Sequence, residues 1–301
     1  MRAIYIDANP MLWDIYQRIG TEIFPYLEKN EGDPSPESLP DLMAGCQGVV
    51  TGHTPIPRAV MDACPELRQI VFLGTGISTY VDLDYAKTRN IGTHAIAGYG
   101  SITIAEHTIG LMFAAARQIR ANDRDLRTGQ WRRAPGFELR GKTLGVVGVG
   151  NVGREVIKLG AALGLQVLAH ARNEIDSRLP CRSVDLETLL KGSDIVTLHI
   201  AHTPETDKLI NRDRLSLMRP NAVLINTARG GLIDEQALVE ALRERRISHA
   251  ALDVFDVEPL PPDHPLVILE NTTLTAHNAW NSPEASERLM RLALATLRDE
   301  L

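Results

Sequence analysis

Thr143-Leu144-Gly145-Val146-Val147-Gly148-Val149-Gly150-Asn151-Val152-Gly153 is a short apolar run that ends in a G-x-G-x-x-G. Alone, that glycine spacing recurs by chance. Here residues 143–147 read as a strand, and Val152, Val156, Leu159 and Leu163 fall on one face of a helix that the glycines open. Gly148 then permits a tight turn, Gly150 lets the backbone approach a pyrophosphate, and Gly153 lets helix and strand pack closely. The helix N-terminus supplies N–H donors and a partial positive charge. The stretch predicts a strand–turn–helix built for a dinucleotide.

Working outward, apolar runs at 166–169, 194–199, 222–226, 249–254 and 272–275 follow at intervals of roughly 25 residues, the length of a strand, a helix and two loops. Helical stripes lie between them, among them Leu186, Leu189 and Leu190, and Ala237, Leu238, Ala241 and Leu242. Six such strands predict an α/β fold with a doubly wound parallel sheet of the Rossmann kind. Upstream, residues 3–6, 48–51, 70–73 and 92–94 read as strands of a second, smaller, flavodoxin-like α/β domain, interrupted by a proline-rich surface segment at 33–36. One long helical pattern runs from Ser101 to Thr128 and reads as an interdomain strut. Ser282-Pro283-Glu284 starts a helix that runs to the C-terminus. Crossovers near Tyr99 and Asn278 predict a discontinuous domain of residues 1–98 plus 279–301 around a dinucleotide-binding domain of residues 99–278.

Composition narrows the function. A chain of 301 residues, 44% apolar and 23% charged, can bury a sizeable core and fits two domains. A net charge of −6 lacks the basic footprint of a nucleic-acid binder. The three cysteines, Cys46, Cys64 and Cys181, form no pair of disulfide or zinc spacing, and the histidines outside the motifs show no ligand spacing, so no metal is expected. The opening Met1-Arg2-Ala3-Ile4-Tyr5-Ile6-Asp7 turns acidic too soon for a signal peptide, and the apolar stretch 102–116 is broken by Glu106 and His107. A cytoplasmic protein with no membrane partner is expected.

The second strand of a dinucleotide domain normally ends on an acid that binds ribose hydroxyls. Here that position, 18 residues beyond Gly153, is Ala171, followed by Arg172. Loss of the carboxylate and gain of a guanidinium favour NADP over NAD. Three further residues stand after strands four, five and six: Arg229 in Asn226-Thr227-Ala228-Arg229-Gly230-Gly231, Glu258 in Asp253-Val254-Phe255-Asp256-Val257-Glu258-Pro259, and His277 in Thr275-Ala276-His277-Asn278. Carboxyl ends of strands line the ligand crevice of such sheets. An arginine, a glutamate and a histidine would therefore converge where a nicotinamide would lie.

With these motifs in order, the chain resembles the D-isomer-specific 2-hydroxyacid dehydrogenase family, glyoxylate or hydroxypyruvate reductase type. Leu73-Gly74-Thr75-Gly76, Ile104-Ala105-Glu106-His107-Thr108 and Thr203-Pro204-Glu205-Thr206 extend the resemblance over nearly the whole chain. It implies catalysis by Arg229, Glu258 and His277. Arg229 would hold the carboxylate and ketone of a 2-oxo acid, and His277 would give a proton to the ketone oxygen as hydride arrives at carbon. Glu258 would orient the histidine and favour its imidazolium form.

The resemblance also implies cofactor contacts from Thr75, Thr103, Asn151, Val152, His199, Ala201, Thr206, Thr227 and Ala228, with Asp253 meeting the carboxamide. Leu73, Gly74, Ala97 and Gly98 would offer backbone N–H groups to the substrate carboxylate. Trp280 would wall the pocket, and His53 lies near the substrate loop. Thr51 stands where phosphoglycerate-type members place an arginine, which disfavours a phosphorylated substrate. A homodimer built on the helix after Gly100 and a cleft that closes on hydride transfer are further implications. His277-Asn278-Ala279-Trp280 also resembles the corepressor branch of the same family, so a dinucleotide-sensing interaction protein is the alternative.

Overall fold

The computed structural model describes residues 2–301, which divide into two compact units: residues 2–100 with 281–301, and residues 101–280. The first unit holds a five-stranded parallel sheet. Its strands are β1 (Ala3–Ala8), β2 (Leu27–Glu31), β3 (Gly48–Thr51), β4 (Gln69–Phe72) and β5 (Gly92–Ala95), in the order β2-β1-β3-β4-β5. Alternation along β1 serves two faces. Ala3 and Tyr5 join a core with Leu289, Met290, Ala293, Leu294 and Leu297 of the Pro283–Glu300 helix, while Ile4 and Ile6 join Val49, Ile70, Met43 and Met61 on the other side. That last helix begins as its sequence requires: Ser282 caps it, its hydroxyl accepting from the Ala285 N–H at 3.1 Å, with Pro283 in the first turn.

The second unit holds seven parallel strands: β6 (Thr143–Val147), β7 (Gln166–His170), β8 (Arg182–Ser183), β9 (Ile195–Leu198), β10 (Val223–Asn226), β11 (His249–Leu252) and β12 (Thr272–Leu274). They run in the order β12-β11-β10-β9-β6-β7-β8. The chain order reverses between β6 and β9, the switch point at which such sheets bind ligands. Buried residues on the two faces form separate cores, one around Leu198, Leu224 and Leu252, the other around Val146, Ile225 and Ala251.

Three features depart from the sequence reading. β2 was not expected, because only Leu27 among its five residues is buried. β8, two exposed residues, was not expected either. Both are edge strands held by backbone pairing, with no apolar period to betray them. The long helix is broken in two, Ser101–Ala116 and Ile119–Arg127, with Gln118 between them at φ 55. The break has a partner: the Ala116 carbonyl accepts the Phe137 N–H at 2.9 Å from a returning segment instead of continuing the helical ladder. Among the described residues no helix is long and apolar enough to cross a membrane.

Candidate active site

The switch point of the second unit is shaped by its glycines. Gly148 has φ 98, and a Cβ there would lie 2.3 Å from the His199 carbonyl oxygen. A Cβ on Gly153 would lie 2.0 Å from the Gly148 carbonyl oxygen. These two glycines serve the close packing of strand, turn and helix. Gly150 differs: nothing in the protein lies within 4 Å of its added Cβ, and its backbone is ordinary at φ −77. What needs a glycine at 150 lies outside the protein's own packing, in the open space at the N-terminus of the Asn151–Ala162 helix. A phosphate cradled by the amides of Asn151, Val152 and Gly153 fits that space.

Around this turn, Arg172 stands two residues past β7 and is exposed. Across the loop after β9, the Glu205 carboxyl is held below its usual range, first by the Thr203 hydroxyl and in part by the Arg172 charge. Thr206 staples that loop: its hydroxyl donates to the Ala201 carbonyl at 2.8 Å and accepts the Thr203 N–H at 2.8 Å. The His199 ring meets the Thr197 hydroxyl at 2.9 Å, and burial pushes its pKa down to about 3, so it is neutral.

Three loops meet beyond β10, β11 and β12. Asn226, fully buried at the end of β10, accepts the Ala228 N–H at 3.0 Å and donates to the Arg229 carbonyl at 2.8 Å. That clasp fixes the turn from which the exposed Arg229 side chain projects. A Cβ on Gly230 would lie 2.0 Å from the Phe255 backbone, so this turn is pressed against the loop that carries Glu258. Glu258 Oε1 accepts the Phe255 N–H at 2.9 Å, and Oε2 lies 2.7 Å from His277 Nδ1. Nε2 is then the ring nitrogen left outside that pair. Thr227 is buried and shares a 3.0 Å hydroxyl contact with Thr108 on the Ser101–Ala116 helix, which also carries Thr103.

Asp253, expected to meet the carboxamide, is buried, and its carboxylate takes three donors from within the protein. Oδ1 accepts the Asn278 N–H at 2.9 Å and the Thr275 hydroxyl, and Oδ2 accepts the Ala279 N–H at 2.9 Å.

In the first unit, the carboxyl ends of β3, β4 and β5 carry the expected substrate residues. The buried Asp7 carboxylate, at the end of β1, accepts the N–H groups of Gly52, His53 and Thr54, each at 2.8 Å. The His53 ring lies 2.6 Å from Asp33. The Leu73 and Gly74 amides donate to the Thr51 and Phe72 carbonyls, both at 2.8 Å. Two residues on, Thr75 and Gly76 donate to no group among the described residues. Ala97 is exposed after β5, with Gly98 beside it.

Residues 109–279 match the family described as D-isomer specific 2-hydroxyacid dehydrogenase, NAD binding domain. The chain belongs to the D-2-hydroxyacid dehydrogenases. It is 40% identical over 260 residues to a glyoxylate reductase of Thermofilum pendens, covering 82% of this chain and 76% of that one. It is 40% identical over 242 residues to a D-3-phosphoglycerate dehydrogenase of Archaeoglobus fulgidus, covering 79% of this chain. The chain spans about half the length of that relative, 46%. An acyclic imino acid reductase solved with NADPH and D-Arg superposes with a TM-score of 0.85 at 31% identity, over 97% of this chain and 94% of that one.

For a D-2-hydroxyacid dehydrogenase, three groups were missed on the sequence alone: Asp7, Asn226 and the pair His107–Thr275. Each is a polar side chain buried or half-buried next to a motif residue, and a polar residue at the end of an otherwise apolar strand was the available signal for the first two.

Proposed function

We propose that this D-2-hydroxyacid dehydrogenase reduces a small 2-oxo acid of the glyoxylate or hydroxypyruvate type to the D-2-hydroxy acid, with NADPH favoured over NADH. The observation that carries the reading is the His277–Glu258 pair beside the clasped Arg229 turn. Bound at the Gly148–Gly153 turn, the dinucleotide supplies the hydride. Everything else falls to the protein. Arg229 holds the substrate carboxylate and ketone through its planar fork and fixes the ketone carbon for attack. His277 Nε2 delivers a proton to the ketone oxygen while Glu258 keeps the ring oriented through Nδ1. Trp280 is assigned to the wall beside the substrate's third carbon.

The cofactor preference rests on Ala171 and Arg172; of the similar structures, an imino acid reductase was solved with NADPH and a D-lactate dehydrogenase with NAD+. A homodimer is supported by exposed Ile102, Phe113, Ile119, Leu126 and Trp131 along residues 101–131; light scattering tests it. The deciding experiment is a steady-state screen of 2-oxo acids with each reduced cofactor. Turnover of glyoxylate or hydroxypyruvate with NADPH is expected. Dinucleotide binding without turnover on any 2-oxo acid overturns the reading in favour of a sensing protein.

A further inference from the structure

We propose that His107 is a positioning residue for His277, acting through Thr275 and Asp253. The inference rests on the reading of His277 as proton donor. His277 sits in left-handed backbone at φ 48, a conformation that a residue with a side chain keeps only where its surroundings hold it. Asp253 does the holding from both sides. The His277 N–H donates to the Asp253 carbonyl at 2.7 Å, and the next two amides, of Asn278 and Ala279, donate to its carboxylate. A carboxylate sealed from water is a useful clamp only if its own direction is fixed.

Thr275 supplies that direction by donating its hydroxyl hydrogen to Asp253 Oδ1. With the hydrogen committed, the Thr275 oxygen is left as an acceptor. His107 Nε2 lies 3.1 Å from it and 3.6 Å from Asp253 Oδ1. This geometry requires the tautomer with hydrogen on Nε2, so that His107 donates to Thr275. The donor comes from a fixed base. The neighbouring Thr108 ties the same helix through the Ile104 carbonyl at 2.8 Å and the Thr227 hydroxyl at 3.0 Å. Donation runs from helix to threonine to buried carboxylate, and that carboxylate in turn accepts from the amides of the turn that aims His277.

The test uses the full chain and the variants His107→Leu, His107→Gln and Thr275→Val. Kinetics are measured with glyoxylate and NADPH, cofactor affinity by fluorescence titration, and folding by thermal melts. A glutamine amide can reach the Thr275 oxygen as Nε2–H does. His107→Leu is expected to lower kcat about tenfold by loosening the proton donor. KM for NADPH and its Kd should stay within about twofold, and His107→Gln should recover most of the loss. Thr275→Val should match His107→Leu, and the double variant should be no worse, because both cut one chain. Wild-type kcat in His107→Leu overturns the proposal. So does a His107→Gln that melts normally yet is as slow as the leucine variant. His277→Ala separates the two readings. If it turns over like wild type, the proton-donor reading itself fails; if it is inactive while His107→Leu is unimpaired, only the positioning proposal fails.

Discussion

Glu258 and His277 form a directed pair: Oε2 of the glutamate meets Nδ1 of the histidine at 2.7 Å, while Oε1 of the same carboxylate takes the Phe255 N–H at 2.9 Å. The second contact keeps the first from swinging. Replacing Glu258 with glutamine keeps the size and one hydrogen bond but removes the charge. Since the amide can present its NH2 to Nδ1, it also admits the wrong ring tautomer. We expect kcat to fall about 10- to 100-fold with the KM for NADPH little changed, a loss of orientation and proton donation. A kcat within twofold of wild type would remove Glu258 from the mechanism.

Arg229 is the substrate clamp in this reading; Asn226 holds its turn through the Arg229 carbonyl and the Ala228 N–H, beside the guanidinium's own bond to the Ala228 carbonyl at 2.6 Å. Arg229→Ala should therefore leave the fold intact. The expected loss is on the order of 100-fold or more in kcat/KM for a 2-oxo acid, with NADPH fluorescence titrations nearly unchanged. Near-normal turnover would assign the clamp elsewhere.

The glycine turn separates ligand space from packing space, and two variants read the difference. Gly153→Ala puts a Cβ 2.0 Å from the Gly148 carbonyl, so the melting temperature should drop by several degrees. At Gly150 an added Cβ meets nothing in the protein and φ is ordinary, so Gly150→Val should lower the melt less than Gly153→Ala does while dinucleotide affinity falls at least about tenfold. Equal affinity in Gly150→Val would place the pyrophosphate somewhere other than this turn.

Cofactor choice is expected to follow residues 171 and 172. Ala171→Asp restores the carboxylate that pairs with ribose hydroxyls and repels a 2′-phosphate, and Arg172→Ala removes the cation. Together they should shift the ratio of kcat/KM for NADPH over NADH downward by about 100-fold. A ratio that is already below one in the wild type ends the NADP assignment.

Much of this arrangement was legible in the sequence, and the exceptions share a physical cause. Strand β6 stands at 143–147 as its apolar run requires, and Arg229, Glu258 and His277 each follow a strand, because burial on both sheet faces writes itself as continuous apolar residues. Edge strands β2 and β8 carry no such record. Nor does a hydrogen-bond direction: which amides of Leu73-Gly74-Thr75-Gly76 are free depends on how the turn closes, and the fold spends the first two on Thr51 and Phe72. The break at Gln118 was hidden for a related reason. Helical periodicity continues across it, and only the distant Phe137 N–H, which claims the Ala116 carbonyl, ends the first helix. Asp253 shows the same limit, since nothing in the sequence tells that its carboxylate takes the Thr275, Asn278 and Ala279 donors.

His249 should make the protein acid-sensitive well above the range where carboxylates titrate. It begins β11, its ring meets the Thr273 hydroxyl at 3.0 Å, and it is buried. That burial, with the nearby charges of Arg120 and Arg245, pushes its pKa down from 6.5 to about 4. The unfolded chain therefore takes up this proton first as pH falls. Above pH 6.5 the ring is neutral in both states and contributes no pH dependence. Between 6.5 and about 4 the unfolded state binds more protons and stability declines; below about 4 both states are protonated and this group adds no further loss. The decline across that window is on the order of 3 kcal/mol. His249→Gln keeps a polar contact for Thr273 without titrating. Thermal melts from pH 7 to pH 4 should then fall less steeply for the variant, even if its melting temperature at pH 7 is lower through imperfect packing. Parallel curves for the two proteins would show that His249 is not protonated on unfolding in this range.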